Sequence, residues 1–327
     1  MQAFLRRAGT YCIALVIAIA VNFVLPRLMP GSPVDSMIAQ LGQRATPEVV
    51  AALRARFGQI DQPLWVQFGS YLKGLATFDL GVSTNYYPMT VLDVLARPLI
   101  WTSFLITTTV VFSFAMGTVL GAMSAWRRGG KTDSILSPLA FVVNAVPPVV
   151  FALTTLFVFG VLYRLAPVSY AYDPNLDPGL NATFLLSVAA HAALPVLSLA
   201  PYLIASFQST MRSSMISVLN EDYVTLGRAK GLSNAAVMYS YGVRNAMLPM
   251  LTHLALMLGA IFGGSIVVEV VFNYPGLGLT LFTATLAHDY PVIQGQLMLM
   301  TVITLGANLL VDIIYGLVDP RLKGASR

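Results

Sequence analysis

The chain has 327 residues, of which 57% are hydrophobic and only 10% are charged, and its mean hydropathy is +0.74. Because a soluble domain carries about 25% charged residues, this composition excludes an ordinary soluble protein and places most of the chain in lipid. The net charge of +5 is spread over loops, which argues against nucleic-acid binding. The single Cys12 cannot form an intrachain disulfide, and no Cys/His spacing typical of a metal site occurs.

The first apolar run covers residues 9–28 and follows Arg6 and Arg7, as the apolar core of a signal peptide would. The run is long for a signal peptide, and no cleavage pattern of small residues follows it before Arg27 and Pro30. We therefore predict a retained first span.

Five further apolar runs each reach the ~20 residues needed to cross the hydrocarbon core. They predict an all-α membrane protein with six transmembrane helices and a long segment between the first two. The predicted parts are the first helix (1–28), an outer helical segment (29–98), a five-helix core (99–318) with spans at about 99–126, 135–162, 184–207, 248–272 and 292–318, and a tail (319–327).

The distribution of Lys and Arg predicts the orientation. If the N-terminus is inside, twelve basic residues fall on inner segments and seven on outer ones, and six of those seven belong to or border the long segment after the first span. The two short outer loops contain almost no basic residues. Both termini and the loop at residues 208–247 are therefore predicted to face the cytoplasm.

The outer segment is too long to be a plain loop. Thr46 is predicted to cap a helix that starts with Pro47, and a second helix is predicted to begin at Pro63. Two interpretations remain open for these amphipathic helices: they lie on the membrane surface, or they cover the outer mouth of a helix bundle.

Residues 220–249, NEDYVTLGRAKGLSNAAVMYSYGVRNAMLP, form the longest polar interruption with the marks of ordered structure. A first helix is predicted to begin with a cap at Asn220 and to end at Gly231 in the left-handed conformation. Ser233 is predicted to cap a second helix that runs to about Met247. The alternative is an ordinary surface loop with some helical content.

Polar and small residues inside the predicted spans have two interpretations. His191, Glu269 and Asp312 indicate either a proton or ion relay or contacts that fix helix packing. The absence of two ionisable groups one helical turn apart in one span favours packing contacts. The glycine pairs and prolines predict close helix approach and broken or bent helices, at Gly117-x-x-x-Gly121, Gly259-x-x-x-Gly263, Pro147, Pro148 and Pro195.

Several motifs together resemble one family of membrane proteins. The sequence Glu221-Asp222-Tyr223-Val224, followed by Arg228-Ala229-Lys230-Gly231-Leu232-Ser233, resembles the cytoplasmic EAA-type loop of ABC import permeases. Glu269-Val270-Val271-Phe272 and Asp289-Tyr290-Pro291 are similar to the fifth and sixth spans of the dipeptide/oligopeptide/nickel permease family. One departure is Gly227, which stands where that family more often has alanine.

This resemblance implies the six-helix fold of type I ABC importer permeases, with a small helical outer domain after the first helix. It implies a B-type subunit in the bacterial cytoplasmic (inner) membrane that works by alternating access. The implied partners are a related C-type permease subunit, two ABC ATPase subunits and an extracytoplasmic solute-binding protein.

The resemblance also implies where the ATPase docks and what is carried. The chain contains no GxxxxGK[ST] phosphate loop, so it is expected to be non-catalytic and without a cofactor, with ATP and Mg bound by the ATPase subunits. The solute is expected to be a peptide, with oligosaccharides and nickel chelates as alternatives, and its binding residues stay unassigned. The residues expected to couple to the ATPase are Glu221, Asp222, Tyr223, Arg228, Ala229, Lys230, Gly231 and Leu232.

Two other classes of membrane protein compete with this interpretation. An ion-coupled secondary transporter predicts two similar halves and midplane carboxylates on broken helices, and no clear halves occur. A membrane-embedded enzyme needs a nucleophile with a base, for which Ser187 and His191 have helical spacing, but no nucleophile motif surrounds Ser187.

Overall fold

The computed structural model describes residues 2–29, 35, 37–38, 41–42, 45–57 and 62–318. The side chains of residues 2–8, 53–57, 255, 258–264 and 310–318 lie outside this description, as does the predicted tail at 319–327. The side chain of Asp312 and the pair Gly259 and Gly263 therefore fall outside it. The described residues are almost entirely helical, and their only isolated β-bridge joins Val82 and Thr90.

The helices follow one another along the chain, and the longest fully described connection between them runs from residue 163 to residue 181. Helix α1 continues as a 3₁₀ turn (Leu25–Leu28), α6 continues as a π-helical turn (Leu156–Leu162), and a second π-helical turn (Val237–Val243) joins α9 to α10. The helices are α1 (Gln2–Val24), α2 (Pro47–Phe57), α3 (Leu64–Thr77), α4 (Val91–Trp126), α5 (Lys131–Ala145), α6 (Pro148–Thr155), α7 (Ala182–Leu219), α8 (Asp222–Ala229), α9 (Asn234–Ala236), α10 (Arg244–Val271), α11 (Leu277–Leu286) and α12 (Tyr290–Val318).

Four helices in the described part of the chain are long and apolar enough to cross a membrane, and a bent pair makes five if it counts as one span. The four are Gly9–Leu28, Val91–Trp126, Ala182–Leu219 and Tyr290–Leu309. The predicted fifth span, 248–272, overlaps α10, which is not among these four. An all-helical membrane protein with several spans is therefore confirmed.

The bent pair is the predicted third span. Helices α5 and α6 meet at 95°, with Val146 extended between them. A residue before proline is disfavoured in the helical conformation, so Pro147 pushes Val146 out of the helix and Pro148 begins the next one. Pro195, in contrast, lies inside the continuous helix α7.

The chain divides into two compact units. The first comprises residues 1–102 and 275–305. Within it, the Arg27 guanidinium lies 3.6 Å from the ring centroid of Phe23, and its Nε donates to the Gln67 side chain at 3.0 Å. The Phe23 ring also meets Phe68 edge-on at 5.0 Å, so the predicted outer helix α3 packs on the end of the first span. The Thr46 hydroxyl accepts from the Val49 N–H at 3.4 Å, as predicted for the start of α2.

The second unit comprises residues 103–274 and 306–327, and close packing of α4 on α7 lies at its core. A Cβ atom on Gly117 would lie 2.5 Å from the Cβ of Phe207, and one on Gly121 would lie 2.6 Å from the Gln208 carbonyl oxygen. Both distances are far shorter than van der Waals contact. The predicted close approach at Gly117-x-x-x-Gly121 is therefore confirmed, because only glycine fits there.

Candidate functional site

Helix α7 continues well past the end of the predicted fourth span and runs to Leu219. Asn220 caps its C-terminal end, so the prediction that Asn220 begins the next helix was wrong. Asn220 keeps a helical backbone, and its N–H donates to the Ser217 carbonyl at 3.3 Å. A residue that begins a helix has extended backbone, and the first such residue is Glu221, which makes no side-chain cap bond.

Helix α8 has one buried edge and a broad exposed face. Val224 and Gly227, three residues apart, are buried, while Thr225 and Leu226 are exposed. The first turn carries Asp222, where the helix dipole favours an anion, and the last turn carries the cation of Arg228. All eight residues predicted for ATPase coupling are exposed: Glu221, Asp222, Tyr223, Arg228, Ala229, Lys230, Gly231 and Leu232.

The corner after α8 is a complete Schellman motif. Gly231 has φ +80°, as predicted, and its N–H donates to the Arg228 carbonyl at 2.9 Å. The Leu232 N–H donates to the Gly227 carbonyl at 3.3 Å. These two bonds satisfy carbonyls that the helix end leaves free, and the left-handed residue directs the chain away from the helix axis.

A second helical path begins directly after the corner. The Ser233 hydroxyl accepts from the Ala236 N–H at 3.3 Å, which confirms the predicted cap. The predicted end near Met247 was wrong, because α9, the π-helical turn and α10 continue without a break to Val271. Pro249 lies inside α10, where it removes one backbone hydrogen bond without ending the helix.

The corner is braced on both sides. The rings of Tyr223 and Tyr241 stack with their centroids 6.1 Å apart. A Cβ atom on Gly242 would lie 2.9 Å from the Met215 Cε, which shows how closely the π-helical turn packs on α7. These contacts hold residues 220–249 in one ordered arrangement of helices around the corner, rather than in an irregular loop.

The polar residues of the predicted spans have varied surroundings. The His191 Nδ1 donates to the Ser187 carbonyl at 2.8 Å, and the Ser187 hydroxyl accepts from the Asp173 N–H at 2.9 Å. The Ser187 side chain thus holds the loop before α7 in place, whereas the His191 side chain bonds within α7. Glu269 is fully buried near the end of α10, and its carbonyl accepts from the Tyr274 N–H at 2.8 Å. Burial, together with the Glu269 carboxylate, raises the pKa of the Tyr274 phenol.

One polar pair was not predicted from the sequence. Asp133 and Arg212 form a bidentate ion pair with N–O distances of 2.6 and 2.9 Å, although 79 residues separate them in the chain. The only available signal was a carboxylate placed just before an apolar run, with Ser137 one helical turn further on. Such a signal does not identify the partner.

Comparison with known proteins places the chain in a family. The family model described as "Binding-protein-dependent transport system inner membrane component" matches residues 117–324, and the model of the corresponding N-terminal region matches residues 1–92.

The curated relatives match over nearly their whole length. The dipeptide transport system permease proteins DppB of Alkalihalophilus pseudofirmus and of Escherichia coli K12 are each 32% identical to the chain over 99% of its length, covering 100% and 99% of their own. A putative peptide permease protein of Brucella ovis is 36% identical over 92% of both chains. The chain is therefore a member of the family of binding-protein-dependent transport system inner membrane components.

Proposed function

We propose that the chain is the B-type permease subunit of an ATP-driven peptide importer and forms half of its translocation pathway, with a related C-type subunit forming the other half. The names of the relatives support a peptide as the solute. The observation that carries the proposal is the exposed face of α8, held by a Schellman corner and joined to α10 by an unbroken helical path.

In this proposal, α8 and its corner dock into a groove of an ABC ATPase subunit. Arg228 and Lys230 make charged contacts, and Gly231 sets the angle of the corner. Binding of ATP closes the ATPase dimer and moves α8. Because α9, the π-helical turn and α10 form one helical path, the movement reaches the membrane, where the pathway opens outward, and hydrolysis returns it inward.

The proposed topology has six spans with α10 as the fifth, and both termini in the cytoplasm of a bacterium. The excess of Lys and Arg on the inner segments supports this orientation. A helical outer segment then lies outside the cytoplasmic membrane, where an extracytoplasmic solute-binding protein delivers the solute. This chain has no catalytic role, and the ATPase subunits bind ATP and Mg.

The coupling role is tested by charge reversal in the assembled transporter. Arg228→Glu should lower both ATPase capture and solute-stimulated hydrolysis in reconstituted vesicles, because a cation at the docking surface becomes an anion. Arg128→Glu makes the same charge change at an exposed arginine of the α4–α5 turn and should leave both unchanged. Wild-type levels of capture and hydrolysis in Arg228→Glu would contradict the docking surface.

The solute and the energy source are tested by uptake into the same vesicles. The panel is a dipeptide, a tripeptide, a longer peptide, a maltooligosaccharide and a nickel–histidine complex, each with its solute-binding protein. The proposal expects peptide uptake with internal ATP and no ion gradient. Uptake of only the sugar or the nickel complex would change the solute class, and uptake driven by an ion gradient without ATP would indicate a secondary transporter.

A further inference from the structure

The Asp133 carboxylate accepts hydrogen bonds from α4, the α4–α5 turn, α5 and α7. Its Oδ1 accepts from the hydroxyls of Ser124 at 2.6 Å and Ser137 at 2.7 Å, and from the Arg212 Nε at 2.6 Å. Its Oδ2 accepts from the Gly129 N–H at 3.0 Å and from the second Arg212 nitrogen at 2.9 Å. A carboxylate offers about four lone-pair positions, so this one is saturated.

These donors belong to four different parts of the second unit. Ser124 lies on α4, Gly129 in the turn between α4 and α5, Ser137 on α5 and Arg212 on α7. The Asp133 side chain is 8% exposed and that of Arg212 is 29% exposed, so water screens the pair only in part. A single carboxylate therefore joins the α4–α5 hairpin to α7.

The Arg212 stretch of α7 also contacts the coupling segment, defined here as residues 220–249. A Cβ atom on Gly121 of α4 would lie 2.7 Å from the Met211 Cβ, one residue before Arg212. Met215, one turn further on, packs on Gly242 of the coupling segment. Met211 and Met215 are both fully buried, so these two turns of α7 lie between the coupling segment and the hairpin.

We propose that Asp133 and Arg212 are positioning residues that transmit movement of the coupling segment, through α7, to the α4–α5 hairpin. The proposal rests on the proposed function, because it requires an ATPase that moves α8. Apolar contacts alone allow the helices to slide past one another, whereas a bidentate guanidinium–carboxylate pair fixes both distance and angle. The saturated carboxylate extends that constraint to the hairpin turn.

The test compares single and double variants in the reconstituted transporter, supplied with the peptide that wild type takes up best. The readout is the coupling ratio, meaning solute molecules taken up per ATP hydrolysed, measured at equal amounts of assembled complex. Arg212→Lys keeps the charge but loses the planar fork, and Asp133→Asn removes the charge. Arg97→Met is the control, because Arg97 is an exposed arginine of α4 that is not among the donors to Asp133 or in the hairpin turn.

We expect the coupling ratio to fall about tenfold in Asp133→Asn and by a smaller factor in Arg212→Lys, while ATP hydrolysis continues. The double variant Asp133→Asn/Arg212→Met should be no worse than Asp133→Asn, because residues that act as one unit are not additive. The control should keep the wild-type ratio.

Three other outcomes would overturn the inference. Wild-type coupling ratios in the assembled Asp133 and Arg212 variants would overturn this inference and leave the proposed function unaffected. Uptake and hydrolysis that fall in parallel at equal complex would assign the pair a purely structural role. If Asp133→Asn does not assemble, Arg212→Lys decides between these outcomes. Failure of the wild-type complex to take up peptide with ATP would instead refute the proposed function, and the inference with it.

Discussion

Gly231 is the position where one substitution should most sharply separate folding of the chain from docking of an ATPase. Its φ of +80° lies in the region that side-chain-bearing residues disfavour, and a Cβ atom there would meet nothing within 4 Å. A substitution at Gly231 therefore strains the backbone without creating a clash. Only the corner geometry is disturbed, and the packed core is left intact.

The magnitude follows from the backbone alone. The left-handed conformation costs roughly 1–2 kcal/mol for an ordinary residue, and β-branched residues are disfavoured still further. A cost of this size lowers the equilibrium constant for forming the native corner by about 5–30-fold. Gly231→Val should therefore reduce docking by up to this factor, whereas Gly231→Asn, which tolerates the left-handed region, should reduce it less.

Capture of the ATPase subunits by the purified permease complex measures docking directly. The control is Gly81→Val, because Gly81 has a similar φ of +84° and equally open surroundings, but lies between α3 and α4. That variant should capture ATPase at the wild-type level per folded chain. Wild-type capture of ATPase by Gly231→Val, or equal losses in Gly231→Asn and Gly231→Val, would contradict a role for the left-handed corner in docking.

Three further substitutions test the local energetics. Gly227→Ala should stabilise α8 by roughly 0.5–1 kcal/mol, because the new methyl group would lie at an ordinary 3.5 Å from Tyr241; amide hydrogen exchange in α8 should slow by about two- to fivefold, and faster exchange would contradict this. Ser233→Ala should destabilise the start of α9 by about 1 kcal/mol through loss of its cap, seen as faster exchange of the Ala236 amide, while Ser233→Asp should preserve protection. Gly121→Ala should lower the yield of monodisperse protein, because its methyl group would lie 2.6 Å from a backbone oxygen of α7. Gly306→Ala is the control, because a methyl group there would enter open space. Equal yields of the two variants would argue against close packing of α4 on α7.

The parts of the coupling segment that the sequence predicted correctly are those fixed by local chemistry. A glycine after a basic last turn and a serine before a new helix act through bonds to residues within five positions, so Gly231 and Ser233 are readable from the sequence. The buried edge of α8 at Val224 and Gly227 was not predicted. It depends on which neighbour covers the helix, and Tyr241 is one such neighbour.

The incorrect boundaries share one cause. Apolar runs mark where a helix lies in lipid, but not where its backbone hydrogen bonding stops. Helix α7 therefore extends to Leu219, twelve residues beyond the predicted span end at 207, and this extension turns Asn220 from the start of one helix into the end of another. In the same way, the second helix was predicted to end near Met247, although α10 continues past this residue and through Pro249.

Long-range polar contacts were the least predictable feature. The hydrogen-bond donors to Asp133 lie 4 to 79 residues away in the chain, and nothing in the sequence pairs it with Arg212.

The structural effect of each proline was also not predictable from the sequence. Pro147-Pro148 breaks the third span, whereas Pro195 lies inside the continuous helix α7. A tandem proline disrupts the helix locally, whereas the fate of a single proline is decided by its tertiary surroundings.

The coupling segment holds its shape with little burial of its own, and this has a consequence for the proposed function. An eight-residue helix is marginal in isolation, and α8 buries only Val224 and Gly227. The Schellman corner at Gly231, the cap at Ser233 and the Tyr223 stack therefore hold α8 in position. Under the proposed function, weakening any of these contacts should cost binding energy, because an ATPase would then have to order the helix as it docks. Substitutions here should reduce docking much more than they reduce the amount of folded protein.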